Sequence, residues 1–354
     1  MNKNKINWVA VLTMMFLFGM ISFVTNLAAP IGTVWKSQPG IDGSNFWGMM
    51  GNMMNFLAYL FMGLPAGKLL AKVGYKKTTL TGVGVGLVGV LIQFLSGRVA
   101  VGSFIGTLPA NFFIYLFGAF VCGFSVCLLN TVVNPMLNLL GGGGNRGNQL
   151  IQIGGTLSSL VATLTPFFVG LLVGTVSANT SMSDVTPLLF IGIAVFIISF
   201  LVILRVEIPE PHANKQIKYE RSPLAFRHCL LGVLAIFCYV GAEIGIPAQL
   251  NFYISDMGFV GSAIVGGSFA AAYWGIMMIG RACSSAISGK ISTRLQMIIV
   301  SSTAILLILA AIFFPESIAI NFKNNPIPIR CFFLVAVGLF MSVMWGGIFN
   351  LSVE

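Results

Sequence analysis

The chain has 354 residues, of which 57% are hydrophobic and only 8% charged, and its formal net charge is +10. That balance excludes an ordinary water-soluble domain and points to a polytopic membrane protein. The basic excess is not by itself a nucleic-acid signal, because its meaning depends on where along the chain it falls.

Apolar runs long enough to cross about 30 Å of hydrocarbon occur near residues 7–34, 46–71, 78–97, 109–140, 148–175, 186–205, 227–255, 263–288, 296–314 and 330–351. They predict an all-α membrane protein with ten transmembrane helices. Lys3 and Lys5 precede the first run, which continues well beyond the core of a signal peptide and reads as an uncleaved span. Between the sixth and seventh runs, Glu207 to Arg227 is polar and carries Pro209, Pro211 and Pro223. This divides the chain into an N-terminal six-helix bundle (1–206), a cytoplasmic linker (207–226) and a C-terminal bundle holding helices 7–10 (227–354).

With the N-terminus in the cytoplasm, only Lys36, Arg98, Lys323 and Arg330 of the nineteen Lys and Arg residues fall outside. The positive-inside rule therefore accounts for the basic charge, and no nucleic-acid partner is expected. Trp8, Trp35 and Trp47 lie near span ends, where interfacial aromatics belong. The six cysteines lie within or at the ends of apolar runs without metal-type spacing, so they read as small packing residues, and no metal or cofactor is expected.

Of nine acidic residues, Asp42, Asp184, Asp256 and Glu316 fall at outer ends or loops, and Glu207, Glu210, Glu220 and Glu354 at the inner side. That leaves Glu243 alone deep within a run. A charge there costs roughly 2.5 to 3.5 kcal/mol on insertion scales, so it must face a cavity or a partner, and Glu243 is a functional candidate by default. It precedes Pro247 by four residues, as Asn26 precedes Pro30 in helix 1. Paired helix breaks in two halves point to a binding site of the transporter kind.

Other patterns are less informative. Gly84-Val85-Gly86-Leu87-Val88-Gly89 matches a dinucleotide fingerprint literally but lies inside helix 3, where Gly82 and Gly86 suit close helix contact. Gly141 to Gly144 lacks the lysine of a phosphate loop and reads as a flexible turn. Asn179-Thr180-Ser181 is a sequon in an outer loop. His212 and His228 flank the linker, and no nucleophile–base set or carboxylate pair is available, so the chain is not expected to be an enzyme.

The stretch from Gly67 through Lys72 and Gly74 to Lys76 and Lys77, between helices 2 and 3, is similar to the signature loop of the major facilitator superfamily, although Ala71 stands where the acid is usual. Lys290 and Arg294, preceded by Gly280-Arg281, occupy the equivalent loop of the second half, and Arg146 enters helix 5. Within that superfamily the chain resembles the fucose–proton symporter and glucose/galactose permease family. The residues that carry this are Leu64-Pro65-Ala66-Gly67, Asn134-Pro135, the helix 7 string from Phe237 to Glu243, and Ala271-Ala272-Tyr273-Trp274-Gly275 in helix 8.

The resemblance implies two pseudo-symmetric six-helix bundles, alternating access and a central sugar site, with the basic loop residues as gates. The last two of twelve spans are apparently missing, which suggests a fragment or a shortened member. The family's acids in helices 1 and 4 fall on Asn26 and Asn130 here. Asparagine does not exchange protons near neutral pH, so the two-acid coupling scheme does not transfer. Either Glu243 alone couples protons, or the carrier is passive.

Sugar hydroxyls suit amides, and a sugar's C–H face suits aromatic rings. The candidate substrate residues are therefore Asn26, Asn130, Asn134, Gln152, Gln249, Asn251, Tyr273, Trp274 and Trp345, with Gln149 and Asn350 nearby. The expected protein is a monomer in the cytoplasmic membrane of a bacterium, moving a monosaccharide with Glu243 as proton carrier. Alternatives are an uncoupled sugar facilitator, a carrier of another small organic solute, or a membrane sensor that binds without transport.

Overall fold

Why the chain forms long helices follows from its solvent: in hydrocarbon each backbone N–H and C=O must be paired within the segment itself. The computed structural model describes residues 7–142, 144–173, 180–210, 225–287, 292–322 and 325–353. Its helices are α1 (Trp8–Lys36), α2 (Asn45–Ser96), α3 (Ala110–Leu140), α4 (Gly144–Val173), α5 (Thr186–Arg205), α6 (Arg227–Ser255), α7 (Ser262–Ile287), α8 (Thr293–Phe313) and α9 (Ile329–Val353). Two short antiparallel hairpins precede α3 and α9: β1 (Phe104–Ile105) with β2 (Leu108–Pro109), and β3 (Ala319–Phe322) with β4 (Asn325–Pro328).

Among the described residues there are thus nine helices rather than the ten expected, and seven stretches are long and apolar enough to cross a membrane. The difference arises at the anticipated loop between the second and third spans. Residues on both sides of Gly74 stay helical, and only Gly74, at φ +83°, leaves the helical region. The turn expected over Gly141 to Gly144 is also shorter, since α4 already begins at Gly144.

The chain divides into two compact units, Met1–Lys215 and Gln216–Glu354. In the first, α2 and α3 share the most extensive helix contact, and α1 packs on α2, α3 and α4. Glycines make this close approach possible. A Cβ on Gly82 would meet Leu129, one on Gly86 would meet Phe196 and Ser125, and one on Gly89 would meet the Cys122 backbone. The glycine run that mimics a nucleotide fingerprint is therefore a helix-packing surface.

Trp35, expected at the interface, is instead a core residue. It is 1% exposed, with its ring 5.0 Å from Phe112 and 5.5 Å from Tyr115. Its indole packs between α1 and α3 against these two rings.

In the second unit the buried cluster is smaller, built from Leu250 and Ile254 of α6, Val265 and Phe269 of α7, and Cys331 and Val335 of α9. α9 packs on α6, α7 and α8. Gly280 and Gly338 hold α7 against α9, because a Cβ there would meet Ser342 and Tyr273 respectively.

At the Gly74 break the second arm of α2 is joined to the end of α5 and the residues after it by a reciprocal pair of caps. The Glu210 carboxylate accepts from the Tyr75 and Lys76 backbone N–H groups, each at 2.8 Å. Lys76 Nζ in turn donates to the Leu204 carbonyl at 3.0 Å, near the C-terminus of α5. An anion thus meets the positive end of one helix and a cation the negative end of another. A side chain at position 74 would strike the carboxylate, so glycine is required there for space as well as for φ.

Candidate functional site

Each unit brings some of the candidate residues together. In the second, Glu243 on α6 accepts a hydrogen bond from Arg281 on α7, with Nη2 3.0 Å from Oε1. The two side chains are only 12% and 14% exposed. Sequence had grouped Arg281 with the loop cations. It lies instead within α7 and reaches back along the helix to Glu243, because a carboxylate buried in this setting needs a counter-charge.

Around the pair stand two tyrosines, Tyr239 one turn before Glu243 on α6 and Tyr273 on α7, both buried. The Tyr273 hydroxyl has no hydrogen-bond partner among the described residues. Trp274 packs edge-on against Tyr273, with ring centroids 5.6 Å apart, and is itself buried. The cluster thus combines one carboxylate, one guanidinium and phenol hydroxyls inside a single unit, a set that both donates to and accepts from hydroxyl groups.

Other candidates of this unit lie elsewhere. Asn251 is at the α6–α7 contact, where its carbonyl accepts from Ser255 Oγ at 2.7 Å and where Gly266 leaves room for it. Gln249 is exposed, and Trp345 is half-buried and stacked on Phe349.

In the first unit the candidates with described side chains are neutral amides on α1 and α3, which stay helical through Pro30 and Pro135, so the helix break expected at Pro30 is absent. Asn130 donates to the Tyr59 hydroxyl at 2.8 Å, and Asn134 donates to the Asn130 carbonyl at 3.2 Å. Asn134 Oδ1 is buried without a partner among the described residues. Asn26 donates to the Ser22 carbonyl at 2.8 Å, and Ser22 Oγ donates across to the Ser158 carbonyl of α4 at 2.6 Å. The Asn26 amide is therefore held by its own helix, while Asn130 is held by α2.

The side chains of Gln149, Gln152, Arg146 and Asn350, and all of Lys290, His212 and Asn179, lie outside the described residues. Of the remaining loop candidates, Gly67, Lys72, Lys77 and Arg294 are exposed, whereas Gly74 and Lys76 belong to the Glu210 junction. No group of three or more metal-ligating side chains occurs among the described residues.

Arg281, Tyr239, Tyr59 and Ser22 were not read from sequence as partners of this kind. A signal for Arg281 existed, since a single buried acid calls for a single buried base and Arg281 is the arginine well inside an apolar run of the same half. For Tyr59 and Ser22 no one-dimensional signal distinguishes them from other half-polar residues on spanning helices.

The comparisons with known proteins agree with this architecture. A family profile described as Major Facilitator Superfamily matches residues 7–354. A glucose/galactose transporter of Brucella abortus biovar 1 (strain 9-941) is 26% identical over 308 residues, covering 84% of this chain and 69% of that protein. The E. coli fucose:proton symporter FucP is similar in structure with a TM-score of 0.73 at 18% identity, covering 99% of this chain and 85% of that one. The xylose transporter XylE from E. coli, in a partially occluded inward-open conformation, gives 0.65 at 11% identity, covering 99% and 87%.

Proposed function

The chain belongs to the Major Facilitator Superfamily, and from that membership we propose that it carries a monosaccharide of the fucose, glucose or galactose kind by alternating access, with Glu243 coupling transport to protons. The substrate class is supported by the named transporters above. The coupling is supported by one observation, the buried Glu243–Arg281 pair. Placement in the inner membrane of a bacterium with the N-terminus inside rests on the distribution of Lys and Arg.

A twofold repeat, with the arms of α2 counted as separate spans, also belongs to this reading. It is supported by the matched Asn26-to-Pro30 and Glu243-to-Pro247 spacings and by a β-hairpin preceding both α3 and α9.

The chemistry follows from what the pair does when it opens. While Glu243 is ionised, it occupies Arg281. A proton on Glu243 removes the negative partner and releases guanidinium N–H donors, for which sugar hydroxyls are suitable acceptors. Sugar and proton then favour the same state, and each raises the affinity for the other by the same factor. Tyr273 with Trp274 supplies further hydroxyl and aromatic surface for a sugar ring.

A second reading, an uncoupled sugar carrier, is favoured by the amides at Asn26 and Asn130 and by the charge balance of the pair. Uptake of radiolabelled fucose, glucose and galactose into proteoliposomes, with and without an inward pH gradient, separates the two. Coupling predicts gradient-driven accumulation that Glu243→Gln abolishes while equilibrative exchange persists. Accumulation that survives Glu243→Gln removes the proton role, and transport that never exceeds equilibration supports the uncoupled carrier. No flux of any of the three sugars removes the substrate class.

A further inference from the structure

Within the first unit, away from the Glu243–Arg281 pair, a cavity of about 10 Å³ is lined by Val24, Leu27 and Ala28 of α1, Asn55 and Gln93 of α2, and Tyr115, Ala119 and Cys122 of α3. We propose that this cavity is a binding site for a single water molecule that joins Asn55 to Tyr115. Four observations carry the inference.

First, the size is right for one small guest, since a cavity needs roughly 10 to 15 Å³ of this kind of volume to hold a water. A sugar, a phosphate or a hydrated ion does not fit. Second, two of the polar atoms at its wall have no hydrogen-bond partner. Asn55 Oδ1 and the Tyr115 hydroxyl belong to residues only 3% and 1% exposed, and neither finds one among the described residues. A buried polar group left unpaired costs about 1 to 3 kcal/mol, which a water removes by bonding to both.

Third, the atoms are held on the same face of one helix arm. A Cβ at Gly51 would overlap the Tyr115 hydroxyl, so that hydroxyl lies against α2 one turn from Asn55. A Cβ at Gly123 would overlap the Asn55 carbonyl, which fixes the α2–α3 crossing at this level. The small side chains of Ala28 and Ala119 leave the gap unfilled.

Fourth, donor and acceptor capacity match water better than a bare cation. Water donates to Asn55 Oδ1 and accepts from the tyrosine O–H, whereas a cation uses oxygen lone pairs only and leaves the phenol proton without an acceptor. Gln93, also on the wall, has its Nε2 occupied by donation to Cys122 Sγ at 3.5 Å. No carboxylate lines the wall to balance a cation.

X-ray radiolytic footprinting on the purified full chain tests this directly. Ionisation of a bound water releases hydroxyl radical in place, which adds one oxygen to a neighbouring side chain. Tyr115 is expected to gain that oxygen faster than Met14, a more readily oxidised side chain that is fully buried in the same unit, and Cys122 is expected to gain it as well. A brief pulse into H2-18O before exposure is expected to leave the added oxygen mainly 16O, because a buried water exchanges slowly.

Asn55→Leu, checked for folding by size-exclusion chromatography, is expected to lose the labelling at both residues. The parent protein alone is decisive should that variant fail to fold. Absence of oxidation at Tyr115 and Cys122 in the parent overturns the proposal, as does labelling unchanged by Asn55→Leu. Labelling suppressed by added sodium assigns the cavity to a cation instead.

Discussion

The two units solve the same problem, polar groups inside an apolar body, in opposite ways. Met1–Lys215 keeps its interior neutral: Asn26, Asn55, Gln93, Asn130 and Asn134 are amides bonded to hydroxyls or carbonyls or set beside a cavity, and helices approach through glycines. Gln216–Glu354 has the smaller buried cluster and holds a buried ion pair between α6 and α7. Loss of one member of a neutral network leaves a polar group unpaired and costs about 1 to 3 kcal/mol. Loss of one partner of a buried ion pair costs more, about 3 to 5 kcal/mol, because it strands a charge.

The largest expected effect is therefore at the pair. Arg281→Leu should destabilise the second unit by about 3 to 5 kcal/mol, read as a fall in the melting temperature of detergent-solubilised protein. Combining it with Glu243→Gln should recover most of the loss. A double variant no more stable than Arg281→Leu alone would contradict the assignment of the loss to a stranded carboxylate.

Next comes the glycine packing of the first unit. Gly123→Ala places a methyl against the Asn55 carbonyl, and overpacking of this sort costs about 1 to 3 kcal/mol. Gly63→Ala, on the arm of α2 that carries Asn55 and at a position where nothing lies within 4 Å, is the control and should be neutral or slightly stabilising. Equal melting temperatures for the two variants would remove close helix approach as the reason for Gly123.

Gly74→Ala should cost about 1 to 3 kcal/mol, since it forces a positive-φ backbone that is essentially reserved for glycine on an L-residue and crowds Glu210. Smallest is Glu210→Gln, which keeps the shape but weakens two charge-assisted bonds and should lower stability by about 0.5 to 2 kcal/mol. Hydrogen exchange at the Tyr75 and Lys76 amides is the specific readout: it should accelerate in both variants, while exchange in α3 stays unchanged.

Much of this organisation was legible in the residues. Helix positions follow from apolar run lengths. Glu243 stands out by elimination, because no other acid lies deep in a run. What sequence reading misplaced shares one cause: it assigns residues to levels along a helix but not to directions around it. Trp35 lies at a span end yet points inward onto Phe112 and Tyr115. Arg281 was grouped with loop cations, but its long side chain carries the guanidinium to Glu243. Gln249 and Asn251 follow Glu243 on the same helix, yet one is exposed and the other is committed to the α6–α7 contact.

By itself the sequence determined the class of protein and its family, because hydrocarbon leaves a long apolar segment few options besides a helix and because family membership is carried by strings of residues. Tertiary structure alone decided which polar groups meet. The Glu243–Arg281 pair, the Asn130–Tyr59 bond and the Asn55–Tyr115 cavity each join residues from different helices, and the Glu210 carboxylate caps the Tyr75 and Lys76 amides from beyond the end of α5. Periodicity cannot specify such meetings, since they depend on how each helix is rotated about its axis, and that rotation is set by the packing of all its neighbours at once.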